Sequence, residues 1–144
     1  MQTITADELV DEFELFFDWE ERYQYLIELG NSLPKLADTL KTEETRVQGC
    51  LSTVWLVSTP CPSDTSRLVF SADSDSQLVK GLACILIKLY NSKTAAEIVE
   101  LDINDIFDRL QLRQHISRSR SNGLNSMISR IRTFAVEHAA VTEA

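Results

Sequence analysis

The spacing of apolar residues near the N-terminus predicts two short helices. A capping pattern from Thr5 to Glu8 begins the first helix, and a second pattern at Asp18 begins another, which is expected to stop near Gly30. One face of the first helix carries apolar residues at helical spacing: Leu9, Phe13, Phe16 and Phe17.

The middle of the chain predicts a β-hairpin. Residues 53–59 are rich in β-branched and aromatic side chains, and residues 66–72 place Leu68 and Phe70 on one face of an alternating pattern. Residues 60–64, which include two prolines, predict the turn between these strands.

Helical periodicity returns after the hairpin. A capping pattern at Ser74 to Gln77 precedes the most apolar segment, residues 78–90, which is expected to be the central core helix. The remaining helices are expected at residues 94–99, 106–110 and 124–135, with a polar loop over residues 117–123.

This order of elements predicts an α+β fold in one domain over residues 1–144, with a small antiparallel sheet packed against several helices. The hairpin supplies two strands and leaves room for a third. No apolar run approaches the ~20 residues needed to span a bilayer. The N-terminus lacks the basic segment and apolar core of a signal peptide, so we expect a cytoplasmic protein without a membrane partner.

Charge is unevenly distributed along the chain. The net charge is −8, and residues 1–44 hold twelve acidic and three basic side chains. Residues 112–132, in contrast, hold five arginines and no acidic residue. Overall acidity argues against nucleic acid as the main partner, since phosphate binding requires a basic surface. The acidic half is typical of solvated helix faces, and it could also steer a protein partner.

Three cysteines provide the candidate chemistry. Cys50, Cys61 and Cys84 are an odd number with no CxxC pair, which disfavours a disulfide framework. A metal site would have to combine them with His115 or His138, and no pair has the short spacing of a zinc module. Glycine-rich phosphate loops and the GxSxG pattern of hydrolases are also absent.

Cys50 has the most informative context. It follows Gly49 at the start of the predicted hairpin, where a loop on a rigid strand could present a reactive thiol. A small residue in a tight turn is the plainer explanation. Cys84 lies in the apolar helix and is expected to be buried. Cys61, between two prolines, is expected to be exposed, with nothing nearby that would lower its pKa.

Four segments resemble the SufE family of sulfur-acceptor proteins, which includes CsdE-type paralogues. Residues 19–30 resemble the family's helical signature, and residues 47–55 its sulfur-accepting loop. Residues 73–82 resemble the start of its central helix, and residues 119–124 its C-terminal segment. They occur in the family's order and span nearly the whole chain. Two positions depart from the pattern: Leu51 stands where a polar residue is common, and Thr53 where glutamine is common.

The resemblance implies a SufE/IscU-like fold and a defined role for Cys50. This cysteine would accept persulfide sulfur from a SufS- or CsdA-like, pyridoxal-phosphate-dependent cysteine desulfurase and stimulate that enzyme. It would then pass the sulfur to a SufBCD-like iron–sulfur scaffold. The protein would hold no cofactor of its own, and would be a sulfur-transfer partner rather than an independent enzyme. Gly49, Asp75 and Arg120 match family segments expected to dock the partner or tune the loop.

Shielding of the persulfide is also expected, because an exposed one would react with cellular thiols. Leu51 and Val54 are the predicted apolar cover for Cys50, and Gly49 the predicted hinge. Two alternatives remain open. An iron–sulfur scaffold would bind a nascent cluster directly, although it needs several converging ligands. A redox-sensing thiol would need a resolving cysteine, for which Cys61 is the candidate nearest in sequence.

Overall fold

The computed structural model describes residues 3–143, and the side chains of residues 3–140. Residues 1, 2 and 144 of the predicted domain lie outside the described residues. The helices are α1 Ala6–Glu14, α2 Trp19–Asn31, α3 Gln77–Tyr90, α4 Ala95–Glu100, α5 Ile103–Leu110, α6 Leu112–His115 and α7 Arg118–Glu143. The strands are β1 Val54–Cys61, β2 Asp64–Ser74 and β3 Lys93–Thr94. The predicted α+β class is confirmed.

Side-chain caps begin α1, α2 and α4 where the sequence predicted them, and the cap of α3 lies at Ser76, two residues after the start of the predicted pattern at Ser74. Thr5 accepts a hydrogen bond from the backbone N–H of Glu8 and begins α1, and Asp18 does the same for α2. Ser76 caps α3, and Thr94 forms a complete capping box at α4. Each cap satisfies a backbone donor that the first helical turn leaves free, which is why these short polar residues define the helix starts.

The sheet has the order β1-β2-β3 and is antiparallel throughout. β1 pairs with β2 from Val54 opposite Ser74 to Pro60 opposite Leu68, and the register shifts beyond Pro60. The strands reach further than predicted: β1 continues to Cys61, so the turn is confined to the residues between Cys61 and Asp64. One face of the sheet is buried against the helices and carries Leu56, Leu68, Phe70 and Ala72.

Helix α3 lies at the centre of the core, as predicted, and Cys84 within it is fully buried. Its close contact with α2 depends on two glycines. A Cβ on Gly81 would lie 2.1 Å from the carbonyl oxygen of Leu26, and a Cβ on Gly30 would lie 2.8 Å from the Gly81 nitrogen. The absence of side chains at this crossing therefore lets the two backbones touch.

The predicted loop over residues 117–123 is wrong, because α7 already begins at Arg118. Ser117 caps the helix: its hydroxyl accepts from the backbone N–H of Arg120, and its carbonyl accepts from Ser121. The serines and Gly123 resembled a loop in the sequence, but Gly123 is instead a point of close approach inside the helix. No helix within residues 3–143 combines the length and apolar character that crossing a bilayer requires.

Candidate functional site

The loop that carries Cys50 is closed at its base by strand-like pairing. The backbone N–H of Val47 donates to the carbonyl of Val54 at 2.8 Å, and Arg46 forms an isolated bridge with Trp55. Further from the loop, the backbone N–H of Leu56 donates to the carbonyl oxygen of Thr45. Residues 48–53 therefore form a short loop on a fixed base, which is the arrangement predicted for a presented thiol.

Gly49 has a backbone conformation that favours glycine. Its φ is +86°, and a Cβ there would lie 2.8 Å from the hydroxyl of Ser126 in α7. A residue with a side chain would be strained in this conformation whatever the surrounding space. The closed loop thus depends on Gly49, and the strain would disappear if the loop moved away and its φ relaxed.

Cys50 turns inward from the loop towards α7 and is half-buried. Its Sγ lies 3.7 Å from the carbonyl oxygen of Gly123, to which the thiol makes a weak hydrogen bond. A Cβ on Gly123 would lie 3.5 Å from the same sulfur. The thiol therefore docks directly against the backbone of α7 at Gly123, where a methyl group would still fit in ordinary contact.

A cavity of about 210 Å³ opens beside the thiol. It is lined by Cys50, Leu51, Ser52, Val79, Ser117, Ser119, Arg120 and Gly123. The start of α7 and one buried residue of α3 form its walls. The space is larger than one sulfur atom requires, and it is bordered by hydroxyl groups and an exposed guanidinium as well as by apolar atoms.

Burial raises the pKa of the Cys50 thiol, and the nearby Arg46 guanidinium partly offsets this effect. A raised pKa means a smaller thiolate fraction at neutral pH, and the thiolate is the reactive form. Arg46 also forms an ion pair with Glu43, whose carboxylate lies 3.7 Å away. The docked thiol is therefore held in its less reactive state, and leaving the site would remove the cost of burial.

Asp75 restrains the end of the loop and does not contact Cys50. Its carboxylate accepts a hydrogen bond from the backbone N–H of Thr53 at 3.1 Å, and its own N–H donates to the Thr53 carbonyl at 3.2 Å. The hydroxyl of Ser74 donates to that same carbonyl at 2.7 Å. Thr53 is consequently fixed from both sides, at the point where the loop becomes β1.

Arg120, the fourth predicted site residue, lines the thiol cavity and is exposed to solvent. Leu51 differs from its prediction. It is 85% exposed at the cavity rim and does not cover the sulfur, because the inward turn of Cys50 leaves the next side chain pointing outward. Val54 is fully buried beneath the loop base, and the lining residue Val79 supplies apolar surface that the sequence did not indicate.

The sequence also missed the part of α7 that faces the loop. Ser119, Gly123, Ser126 and Arg130 follow a helical stripe, along which Ser126 approaches Gly49 and Arg130 donates to the Glu44 carbonyl at 3.0 Å. The spacing of these four residues is visible in the sequence. It places them on one face only when residues 117–123 are helical, and these residues were assigned to a loop.

The prediction that nothing near Cys61 would lower its pKa is also wrong. This cysteine ends β1 and its thiol lies 3.3 Å from the hydroxyl of Ser63, a contact that lowers the pKa of Cys61. All three cysteines are free thiols. Among the side chains of residues 3–140, no group of three or more histidines, cysteines and carboxylates converges as metal ligands would.

Comparison with known proteins yields one family over most of the chain. The model of the SufE family, described as an Fe-S metabolism associated domain, matches residues 7–135. An uncharacterized SufE-like protein of Rhizobium etli is 44% identical over 137 residues, which cover 94% of this chain and 93% of that protein. A second, from Rhizobium meliloti, is 42% identical over 132 residues, covering 91% and 94%.

The fold has a solved counterpart. The solution structure of a hypothetical protein from Thermus thermophilus superposes with a TM-score of 0.76, covering 97% of this chain and 99% of that one. Its sequence identity is 15%, so the likeness concerns the fold alone.

Proposed function

Because this chain belongs to the SufE family, we propose that it accepts sulfur from a cysteine desulfurase on Cys50. Family membership supports a role in iron–sulfur metabolism and sulfur transfer. The observation that carries the finer assignment is the half-buried thiol beside a cavity, on a loop whose closed form needs a positive φ at Gly49. These features suit a thiol that is covered at rest and released for transfer.

The transfer is an exchange at sulfur and requires no external oxidant. The Cys50 thiolate attacks the terminal sulfur of a persulfide on the desulfurase, a new S–S bond forms, and the desulfurase cysteine leaves as a thiolate. Cys50 then holds the persulfide, and a SufBCD-like scaffold is the proposed recipient. The desulfurase, of SufS or CsdA type, supplies the pyridoxal phosphate chemistry.

The proposed cycle has two loop positions. In the closed position the raised pKa of the free Cys50 thiol suppresses side reactions before transfer, and the cavity accommodates the added sulfur after it. In the open position the loop reaches the desulfurase, with Gly49 as one hinge and the Thr53–Asp75 clamp fixing the other end. Arg120, at the cavity mouth, is placed to stabilise a negatively charged persulfide.

A disulfide-based redox sensor fits the geometry less well. The strand β1 runs from the loop base at Val54 to Cys61, a distance of roughly 23 Å along its axis. Disulfide-bonded cysteines need Cα atoms within about 7 Å. Cys61 therefore cannot resolve a modified Cys50 without disruption of the sheet.

The test is desulfurase turnover and intact mass after incubation with desulfurase, pyridoxal phosphate and cysteine. The wild-type protein should gain sulfur and raise turnover, and Cys50→Ser should do neither while keeping its fold. Cys61→Ser is the matched control, because it removes another partly exposed free thiol, and should behave as wild type. Retained sulfur acceptance by Cys50→Ser would disprove the assignment.

Elemental analysis separates sulfur transfer from the scaffold alternative. The purified protein is expected to hold no stoichiometric iron or zinc, because the sequence offers no closely spaced ligand set. About one metal ion per chain that survives chelation would favour the scaffold.

A further inference from the structure

A second groove lies away from the thiol, between the start of α5, α6 and α7. Its volume is about 500 Å³. Helix α7 contributes residues from Asn125 to Glu137 along one side, which at 1.5 Å per residue gives a length of roughly 18 Å. A groove of this length suits an extended peptide.

Arg113 is fixed in this groove by neutral partners. Its guanidinium donates to the side-chain oxygens of Asn104 at 2.9 Å and Asn125 at 2.7 Å, and it lies over the ring of Phe107 at 5.2 Å. Two amide oxygens orient the group without neutralising it. Since a guanidinium has five N–H donors, Arg113 keeps both its charge and spare donors for a ligand.

The groove also carries a small excess of positive charge on an acidic protein. None of the five arginines between residues 112 and 132 forms an ion pair with a carboxylate of the described residues. Arg113 and the exposed Arg132 both line the groove, where Glu137 is the one lining carboxylate. Positive charge therefore exceeds negative charge along the groove, although the whole chain carries −8.

The remaining lining gives the groove an amphipathic character. Ile103 and Ile128 are buried and form apolar surface, Val136 is 63% exposed, and the hydroxyls of Ser129 and Thr133 lie among them. An apolar floor beside two guanidiniums matches a ligand in which carboxylates alternate with apolar side chains.

We propose that this groove docks a short acidic, amphipathic peptide segment of a partner protein. The charge complementarity and the length of the groove select this occupant over a small anion. The groove-lining positions 125, 129, 132 and 136 lie about 120–180° around α7 from Gly123, the residue that faces the thiol. A docked segment therefore leaves Cys50 free to react.

The test uses fluorescence anisotropy with a dye-labelled peptide of about six residues that alternates glutamate with leucine, since about six extended residues span 18 Å. The full chain should bind this peptide, with affinity that falls as salt rises, and should not bind a matched peptide with lysine in place of glutamate. Arg132→Glu and Ser129→Glu should each weaken binding about tenfold, because each introduces repulsion at an exposed position in the groove.

Arg118→Glu is the matched control, because it makes the same charge change on an exposed residue of α7 outside the groove. It should leave binding unchanged, and so should Cys50→Ser, which separates this proposal from the sulfur-transfer function. Equal weakening by Arg118→Glu and Arg132→Glu would show non-specific attraction and overturn the proposal. Equal binding of the lysine peptide, no binding of the glutamate peptide, or its displacement by an equal concentration of inorganic phosphate would also overturn it.

Discussion

Gly49→Ala should open the Cys50 loop. The closed loop holds Gly49 at φ +86°, and a left-handed conformation costs a residue with a Cβ about 1–2 kcal/mol. The open loop does not have to keep this φ, so the cost falls mainly on the closed form. With RT of about 0.59 kcal/mol, the open fraction should rise about fivefold to thirtyfold.

The assay is the rate at which a bulky maleimide alkylates Cys50. When the loop opens and closes quickly, this rate is proportional to the open fraction and should rise by the same factor. The new methyl group would also lie 2.8 Å from the Ser126 hydroxyl, but that hydroxyl can rotate away. Adding Ser126→Ala should therefore leave most of the acceleration in place.

Gly123→Ala is the matched substitution on the other side of the thiol. Its Cβ would make an ordinary contact of 3.5 Å with the Cys50 sulfur, and alanine favours the helix by about 1 kcal/mol. It should not accelerate alkylation. The gated-loop reasoning is refuted if Gly49→Ala alkylates at the wild-type rate, or if wild-type Cys50 already reacts as fast as a short unstructured thiol peptide.

Three further predictions follow from the same contacts. The pH profile of Cys50 alkylation by a small reagent should show a pKa above that of an ordinary thiol, and Arg46→Gln should raise it further; a profile unchanged by Arg46→Gln would contradict the electrostatic role of that residue. Burial and the hydrogen bond from Tyr25 to a carboxylate raise the pKa of Tyr25 in the folded protein. The folded state therefore keeps its full stability below about pH 10, the pKa of tyrosine in the unfolded chain, and loses stability as the pH rises above that value. Chemical denaturation across this range should show a smaller loss for Tyr25→Phe, and an equal loss would rule out the tyrosine as the cause. Gly81→Ala should destabilise the fold by about 3 kcal/mol in thermal unfolding, because its Cβ would lie 2.1 Å from the Leu26 carbonyl; an unchanged melting temperature would mean that α2 and α3 separate without cost.

Local signals were sufficient for much of the fold. The caps at Thr5, Asp18 and Thr94 need only a polar side chain and a following helical turn, so the sequence located them, and it placed the cap of α3 within two residues. The buried face of β2 followed from strict alternation. The start of α7 was missed because serine and glycine signal loops locally, whereas the contact of Gly123 with Cys50 joins residues 73 positions apart.

The residues of the candidate site also fall into two groups, those that local sequence reveals and those that depend on packing. Gly49 and Cys50 were recognisable from their neighbours and from the family resemblance. The contacts of Ser126 and Val79 with the loop region depend on how α7 and α3 pack, which no local pattern encodes. Leu51 was misassigned because its apolar character suggested cover, although its direction depends on the inward turn of the preceding residue.

The most direct test of the account is the position of the persulfide after reaction with a desulfurase and cysteine labelled with heavy sulfur. Rapid alkylation, proteolysis and peptide mass mapping would locate the labelled sulfur. The account predicts one labelled sulfur atom or more on the peptide that contains Cys50, and none on those that contain Cys61 or Cys84. Label on Cys61, or a protein that stimulates the desulfurase without acquiring label, would contradict it.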